Sequence, residues 1–255
     1  MHKILITNDD GIFSIGLKPL IKQLKKIADV VVVVPETEQS AVSHSLTLHE
    51  PIKIKKIDNS TYVVNGTPAD CVRVGIIEIC KNKIDLVISG INSGPNLGYD
   101  VVYSGTVAAA RESVLMNISG FAISLANYKK SSNFDTAAVV TKKITELFLN
   151  NKFIEINKPI FLNINVPDLP LKKIRCFSIT RLGTRKYENR IRITYDPYGI
   201  PCYWLKSRLV NVSQNYFDSD VSAVKNRMVS ITPLTIDITD YSMINDLKKI
   251  GFTKL

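Results

Sequence analysis

Lys3-Ile4-Leu5-Ile6-Thr7-Asn8-Asp9-Asp10-Gly11 reads as a short buried strand running straight into two adjacent carboxylates and a glycine. Side chains alternate between the faces of a strand, so neighbouring aspartates converge only where the strand breaks, and Gly11 supplies that break. In open α/β sheets the working crevice lies beyond the carboxyl ends of the strands. Two carboxylates beside each other there are costly without a cation, and hard cations such as Mg²⁺ prefer oxygen ligands. The pair therefore reads as a metal site on the active edge of an enzyme. The same residues are also open to a plainer reading, as caps for the helix that follows.

Outward from this strand, hydrophobic periodicity alternates. Helix is expected over Ser14–Ile27, strand over Val30–Val34 up to Pro35, and a small β unit over Pro51–Lys56 and Thr61–Val64. Pro68–Ile79 follows as helix with Thr67 as its cap. Asp85–Ser89, Gly120–Leu125 and Phe161–Val166 read as strands, and Thr106–Met116 and Asp135–Leu149 as helices. This order predicts an α/β, Rossmann-like three-layer sandwich with a mostly parallel sheet. One domain is expected over 1–255, its core over 1–168. Residues 169–255 would add an antiparallel hairpin extension within 174–206, a returning strand and a C-terminal helix over Asp240–Ile250. The hairpin carries Tyr187, Ile191, Ile193, Tyr195, Tyr198, Tyr203 and Trp204, with turn signals at Asp196-Pro197 and Tyr198-Gly199. It is expected to form subunit contacts or to pack as a lid.

The totals exclude several classes. A chain of 255 residues with 45% apolar content and mean hydropathy of +0.07 fits a globular protein with a sizeable core. No apolar run approaches the ~20 residues that span a bilayer, and no signal-peptide pattern precedes Lys3. No membrane association and a cytoplasmic home are expected. The four cysteines, Cys71, Cys80, Cys176 and Cys202, lack CxxC spacing, so buried free thiols are expected. The net charge of +10 is spread along the chain. That reads as a solvated basic surface, or as an aid in attracting anions, and nucleic-acid binding is not expected.

Three further motifs follow strand ends. Glu36–Ser40 and Ser43-His44-Ser45-Leu46-Thr47 offer hydroxyls to a metal or a phosphate, or form a polar loop. Ser89-Gly90-Ile91-Asn92-Ser93-Gly94-Pro95-Asn96-Leu97-Gly98 offers amide groups to a cation or an anion, or is a connecting loop. It is neither a P-loop nor a dinucleotide fingerprint. Tyr103-Ser104-Gly105-Thr106 opens a small-residue helix, whose start is an anion site or an ordinary cap. Together, carboxylates for a metal and a helix start for a phosphate suggest metal-assisted phosphoester hydrolysis.

The strings ILITNDDG, VVPETEQSAVSHSLTL, VNGTPADCV, ISGINSGPNLGYDVVYSGTVAAARE, LNINVPDLP and VSITPL resemble the SurE (survival protein E) nucleotidases. The resemblance implies a Rossmann-like core and a divalent-metal-dependent phosphatase acting on nucleoside 5′- and 3′-monophosphates. It also implies a homodimer or homotetramer built by C-terminal exchange. Carried over by motif, the metal ligands are Asp9, Asp10, Ser40 and Asn92, holding one Mg²⁺ or Mn²⁺ per subunit. Asn96, Ser104, Gly105 and Thr106 would line the phosphate pocket, with Asn65, Gly66 and Thr67 near it. The chain departs from the pattern at Ala41, Ser113 and Arg227, where glycine is common, and at Tyr99, often acidic.

On this reading water attacks phosphorus, and Asp9 or Asp10 serves as base or as nucleophile. His44 is open as an acid for the leaving group or as a supporting residue. Two rivals stand: an aspartyl-phosphate phosphatase, which favours DxD spacing, and a non-catalytic nucleotide or RNA-binding module.

Overall fold

The computed structural model describes residues 2–126, 133–150, 158–210 and 216–250. The chain opens with β1 (Lys3–Thr7), α1 (Leu17–Leu24) and β2 (Asp29–Pro35). A short antiparallel pair follows, β3 (Ile54–Lys56) and β4 (Thr61–Val64). Next come α2 (Pro68–Val74), β5 (Leu86–Ser93), α3 (Gly105–Leu115), β6 (Gly120–Ala126), α4 (Phe134–Asn150) and β7 (Phe161–Pro167). The last third holds β8 (Phe177–Ile179), the hairpin β9 (Lys186–Tyr195) and β10 (Pro201–Val210), α5 (Asp220–Lys225), β11 (Val229–Pro233) and α6 (Tyr241–Ile250).

Among the described residues nine strands form one sheet in the order β3-β4-β2-β1-β5-β6-β7-β11-β8. It is parallel except where β3 meets β4 and β11 meets β7. β1 lies between β2 and β5, so the strand order reverses at the centre, where the expected crevice opens. Alternation along β1 builds the three layers. Ile4 and Ile6 face Leu17, Leu20, Leu24, Phe134 and Ala137 of α1 and α4, whereas Leu5 joins Cys71, Val72, Ile76 and Ala109 on the side of α2 and α3. The architecture is the α/β three-layer sandwich that the periodicity predicts.

Several boundaries differ, each for a physical reason. The expected Pro68–Ile79 helix becomes α2 and then a π-helical turn over Gly75–Ile79, where Gly75 packs so tightly on Leu5 that a Cβ would lie 2.7 Å from its methyl. β5 runs past Ser89 to Ser93, because a bulge between Ser89 and Asn92 lets pairing with β6 resume at Asn92↔Ser124. The first part of the expected hairpin, Phe177–Ile179, pairs instead with β11 in the main sheet. α5 went unpredicted. Of the thiols, Cys71 and Cys80 are buried, but Cys176 is exposed and Cys202 half-buried on the hairpin, so burial holds for two of the four. Among the described residues no helix is long and apolar enough to cross a membrane.

Two departures from the family pattern have structural answers. Ser113 donates its hydroxyl to the Ala110 carbonyl within α3. Arg227 has φ +61°, the left-handed region that glycine occupies without penalty. Its side chain is exposed, so it loses little packing on removal. Arg227→Gly is expected to stabilise the protein by up to about 1 kcal/mol. A thermal melt should rise by about 2–4 °C, and an unchanged or lowered melt would contradict the strain.

Candidate active site

Asp9 leaves the end of β1 and is only 5% exposed. Thr106, in the first turn of α3, holds both of its oxygens: the hydroxyl donates to Oδ1 at 2.7 Å and the backbone N–H to Oδ2 at 3.2 Å. Gly105 permits this approach, since a Cβ there would lie 3.0 Å from the Asp9 Cβ and 3.2 Å from the Gln39 carbonyl. Asn8 shapes the turn by accepting from Gly11 N–H and donating to the Gly11 carbonyl. Asp10 is less buried and accepts from the Ser14 hydroxyl.

The Ser40 loop leaves β2 and folds back toward α3. Gln39 N–H donates to the Asp9 carbonyl at 2.7 Å, Ser43 N–H to the Tyr103 carbonyl at 3.0 Å, and the Ser43 hydroxyl to the Val102 carbonyl at 2.8 Å. Ala41 and Ser43 have φ of +57° and +56°. Non-glycine residues in this region cost roughly 1–2 kcal/mol each, so the loop keeps its shape only through its anchors. Ala41 is thus a strained non-glycine residue beside Ser40.

After β5, Asn92 donates its side-chain amide to the Gly94 carbonyl. Asn96 is fixed from four directions. Its N–H donates to Asn165 Oδ1, its carbonyl accepts from both Asn163 and Asn165, and its side-chain amide donates to the Ser124 hydroxyl. Asp220, fully buried, accepts from the N–H groups of Gly98, Gly183 and Val221 and closes the loop.

One cavity of about 890 Å³ collects these parts. Asp9, Asp10, Glu38, Ser40, Asn92, Asn96 and Ser104 line it, together with Asp100, Tyr103, Tyr187 and Leu205. Burial pushes the Asp9 carboxyl up to about 6, partly opposed by the Thr106 hydrogen bond, with neighbouring Asp10 adding to the rise. Asp10 is also raised, by burial first, with Glu38 adding repulsion. Among the described residues, four carboxylates and no lysine or arginine line the space. Arg185 approaches its rim but is paired with Asp100, which also accepts from Tyr187. A phosphate would meet net negative charge here, and a hard cation would remove that conflict. The donor set of two carboxylates, one hydroxyl and one amide is all oxygen, as such a cation prefers. Among the described residues no group of three or more His, Cys, Asp or Glu competes for a metal.

The family model described as Survival protein SurE matches residues 4–189. The chain belongs to the SurE family. It is 43% identical to the 5′-nucleotidase SurE of Geotalea uraniireducens, covering 98% of this chain and 100% of that protein. It is 41% identical to the 5′-nucleotidase SurE of Legionella pneumophila, covering 97% and 96%. The crystal structure of the SurE protein from Aquifex aeolicus superposes with a TM-score of 0.84 at 40% identity, over 97% of this chain and 99% of that one.

Within this SurE chain the structure gathers Asp9, Asp10, Ser40, Asn92, Asn96 and Ser104 around one cavity. Gly105 and Thr106 stand behind Asp9 rather than in the lining. Ser104 accepts from Val107 N–H as the cap of α3. Asn65, Gly66 and Thr67 do not line the cavity. Asn65 accepts from Lys53 N–H, Gly66 packs on Asp70, and Thr67 forms a capping box with Asp70 at the start of α2. His44 lies outside the lining too, bonded to Glu112. Sequence reasoning missed Asn165, Asp220, Glu38 and Asp100. LNINVP was visible as a motif, but nothing in a strand sequence says that its amides clamp a loop from another strand.

The raised carboxyl of Asp9 has a consequence for stability. Between about pH 4 and 6 the folded state binds more protons than the unfolded one, so this group's contribution falls as pH rises through about 6. The rise corresponds to roughly 3 kcal/mol lost at neutral pH by the cation-free protein. A divalent cation should therefore raise the melting temperature more at pH 8 than at pH 5, where protons compete. Equal shifts at both pH values would contradict ligation through Asp9.

Proposed function

We propose that this chain is a divalent-metal-dependent nucleotidase, a hydrolase that converts nucleoside 5′- and 3′-monophosphates to nucleoside and phosphate. The observation that carries the reading is that buried Asp9 and half-buried Asp10 share with Ser40 and Asn92 the lining of one cavity sized for a mononucleotide. The relatives' name, 5′-nucleotidase SurE, supports the 5′ part of this reaction. Asp9, Asp10, Ser40 and Asn92 would hold one Mg²⁺ or Mn²⁺ per subunit. When bound, that ion would offset charge on phosphoryl oxygens and lower the pKa of a water.

The chain's own groups supply the rest. Ser104 marks the start of α3, an eleven-residue helix whose dipole favours a phosphate at that end. Asn96, fixed on both its backbone groups and its side chain, presents an edge that does not reorganise when substrate arrives. Asp9 has both oxygens committed to Thr106, whereas Asp10 is the more accessible carboxylate and the better placed to take a proton from an attacking water. Tyr103, Tyr187 and Leu205 form the apolar side against which the nucleoside would rest. We place the homodimer or homotetramer contact on the β9–β10 hairpin, whose Ile191, Tyr195, Tyr198, Trp204 and Leu205 are exposed in the single chain.

Phosphate release from a panel of nucleoside monophosphates, with EDTA and then with Mg²⁺ or Mn²⁺, tests the reaction. Turnover should need metal and fall at least about 10³-fold in Asp9→Ala. Salt-sensitive RNA binding without phosphate release would overturn it in favour of a binding module, and a trapped phospho-aspartate would favour the aspartyl-phosphate rival.

A further inference from the structure

Of the four proposed metal ligands, Ser40 is the least secured. It is exposed, its hydroxyl donates to Glu38 at 2.7 Å, and its loop turns through left-handed backbone at Ala41 and Ser43. A strained loop persists only where its surroundings over-determine it. Four residues along, His44 reaches away from the cavity and places Nε2 2.7 Å from Oε2 of Glu112, a carboxylate 1% exposed in the middle of α3. The other oxygen of Glu112 accepts from Arg73 Nε of α2 at 2.5 Å. A buried carboxylate must be paired, so the strength of the contact comes from Glu112 rather than from the loop. Thr106, the partner of Asp9, lies in the first turn of the same helix.

We propose that His44, Glu112 and Arg73 form a latch that sets Ser40 at its working distance from Asp9 and Asp10, with His44 a positioning residue for the cation rather than an acid for the leaving group. The latch makes α3 the common reference for both halves of the site: its first turn fixes Asp9, and its middle fixes the Ser40 loop. The proposal rests on the cation site described above. Partners that orient a ligand from behind typically change metal affinity 10–100-fold when lost.

Calorimetric titration of Mn²⁺ into the nucleotide-free protein tests it, alongside amide exchange at Gln39 and Ser43 without metal. His44→Ala should weaken Mn²⁺ at least about 10-fold and speed exchange at both amides. His44→Gln, which keeps a donor able to reach Glu112, should recover most of the affinity. In a Ser40→Ala background, His44→Ala should cost little more, because it acts through Ser40. Should His44→Ala fail to fold, His44→Gln compared with Glu112→Gln gives the same contrast: the first retains affinity and the second loses it. Wild-type affinity in His44→Ala, or an undiminished penalty in the Ser40→Ala background, would overturn the latch. Mn²⁺ binding that survives Asp9→Ala would instead bring down the cation site itself, and the latch with it.

Discussion

A carboxylate that is 5% exposed at the end of the central strand must find hydrogen-bond donors or stay protonated. Thr106 supplies both donors to Asp9, one from its side chain and one from its backbone. That contact requires α3 to begin within hydrogen-bond reach of β1, and glycine at position 105 leaves room for it, since a Cβ there would lie 3.0 Å from that of Asp9. Gln39 then closes on the Asp9 carbonyl, so β1, the loop after β2 and the start of α3 meet at one residue. The sheet's reversal of order at β1 puts this junction where the helices on either face diverge, and the cavity opens there.

Around that junction the fold repeatedly uses buried carboxylates to hold irregular backbone. Asp70 accepts from Thr47 and from Thr67, tying the far end of the Ser40 loop to α2. Asp220 gathers three N–H groups from three segments. Loops at the active edge cannot pair their amides in a ladder, so acidic side chains from helix starts do so instead. Asn163 and Asn165 perform the same service from within β7. The result is a set of loops with little regular structure but few degrees of freedom.

The fold was legible because its signals are local. The apolar run in KILIT, the β-branched run before Pro35 and the proline after Thr67 each act within a few residues, and each marks an element that the structure contains. The loops' internal contacts were not legible, because they join residues far apart in the chain: Asn96 with Asn165, Gly98 with Asp220, His44 with Glu112. The NGTP stretch carried two readings: by resemblance a place near the site, and by its own residues a cap at Thr67 for the helix that follows. Thr67 does cap α2, Asn65 accepts from Lys53 N–H just ahead of β3, and none of the three lines the cavity. The bulge that carries β5 on to Ser93 was likewise hidden, because it depends on the pairing with β6.

The charge of the cavity gives the site its logic. The chain carries a formal +10, yet the lining presents Asp9, Asp10, Glu38 and Asp100, and the Arg185 guanidinium is already paired with Asp100. Surface charge that draws an anion toward the protein therefore cannot by itself seat a phosphate beside β1. Glu38 sharpens the point: it holds the Ser40 hydroxyl and raises Asp10 by repulsion. A hard cation would compete with both effects, drawing Ser40 away from Glu38 and relieving the aspartates. Substrate and metal would then be linked through electrostatics, because neither the negative lining nor a phosphate dianion is well accommodated without a positive charge between them.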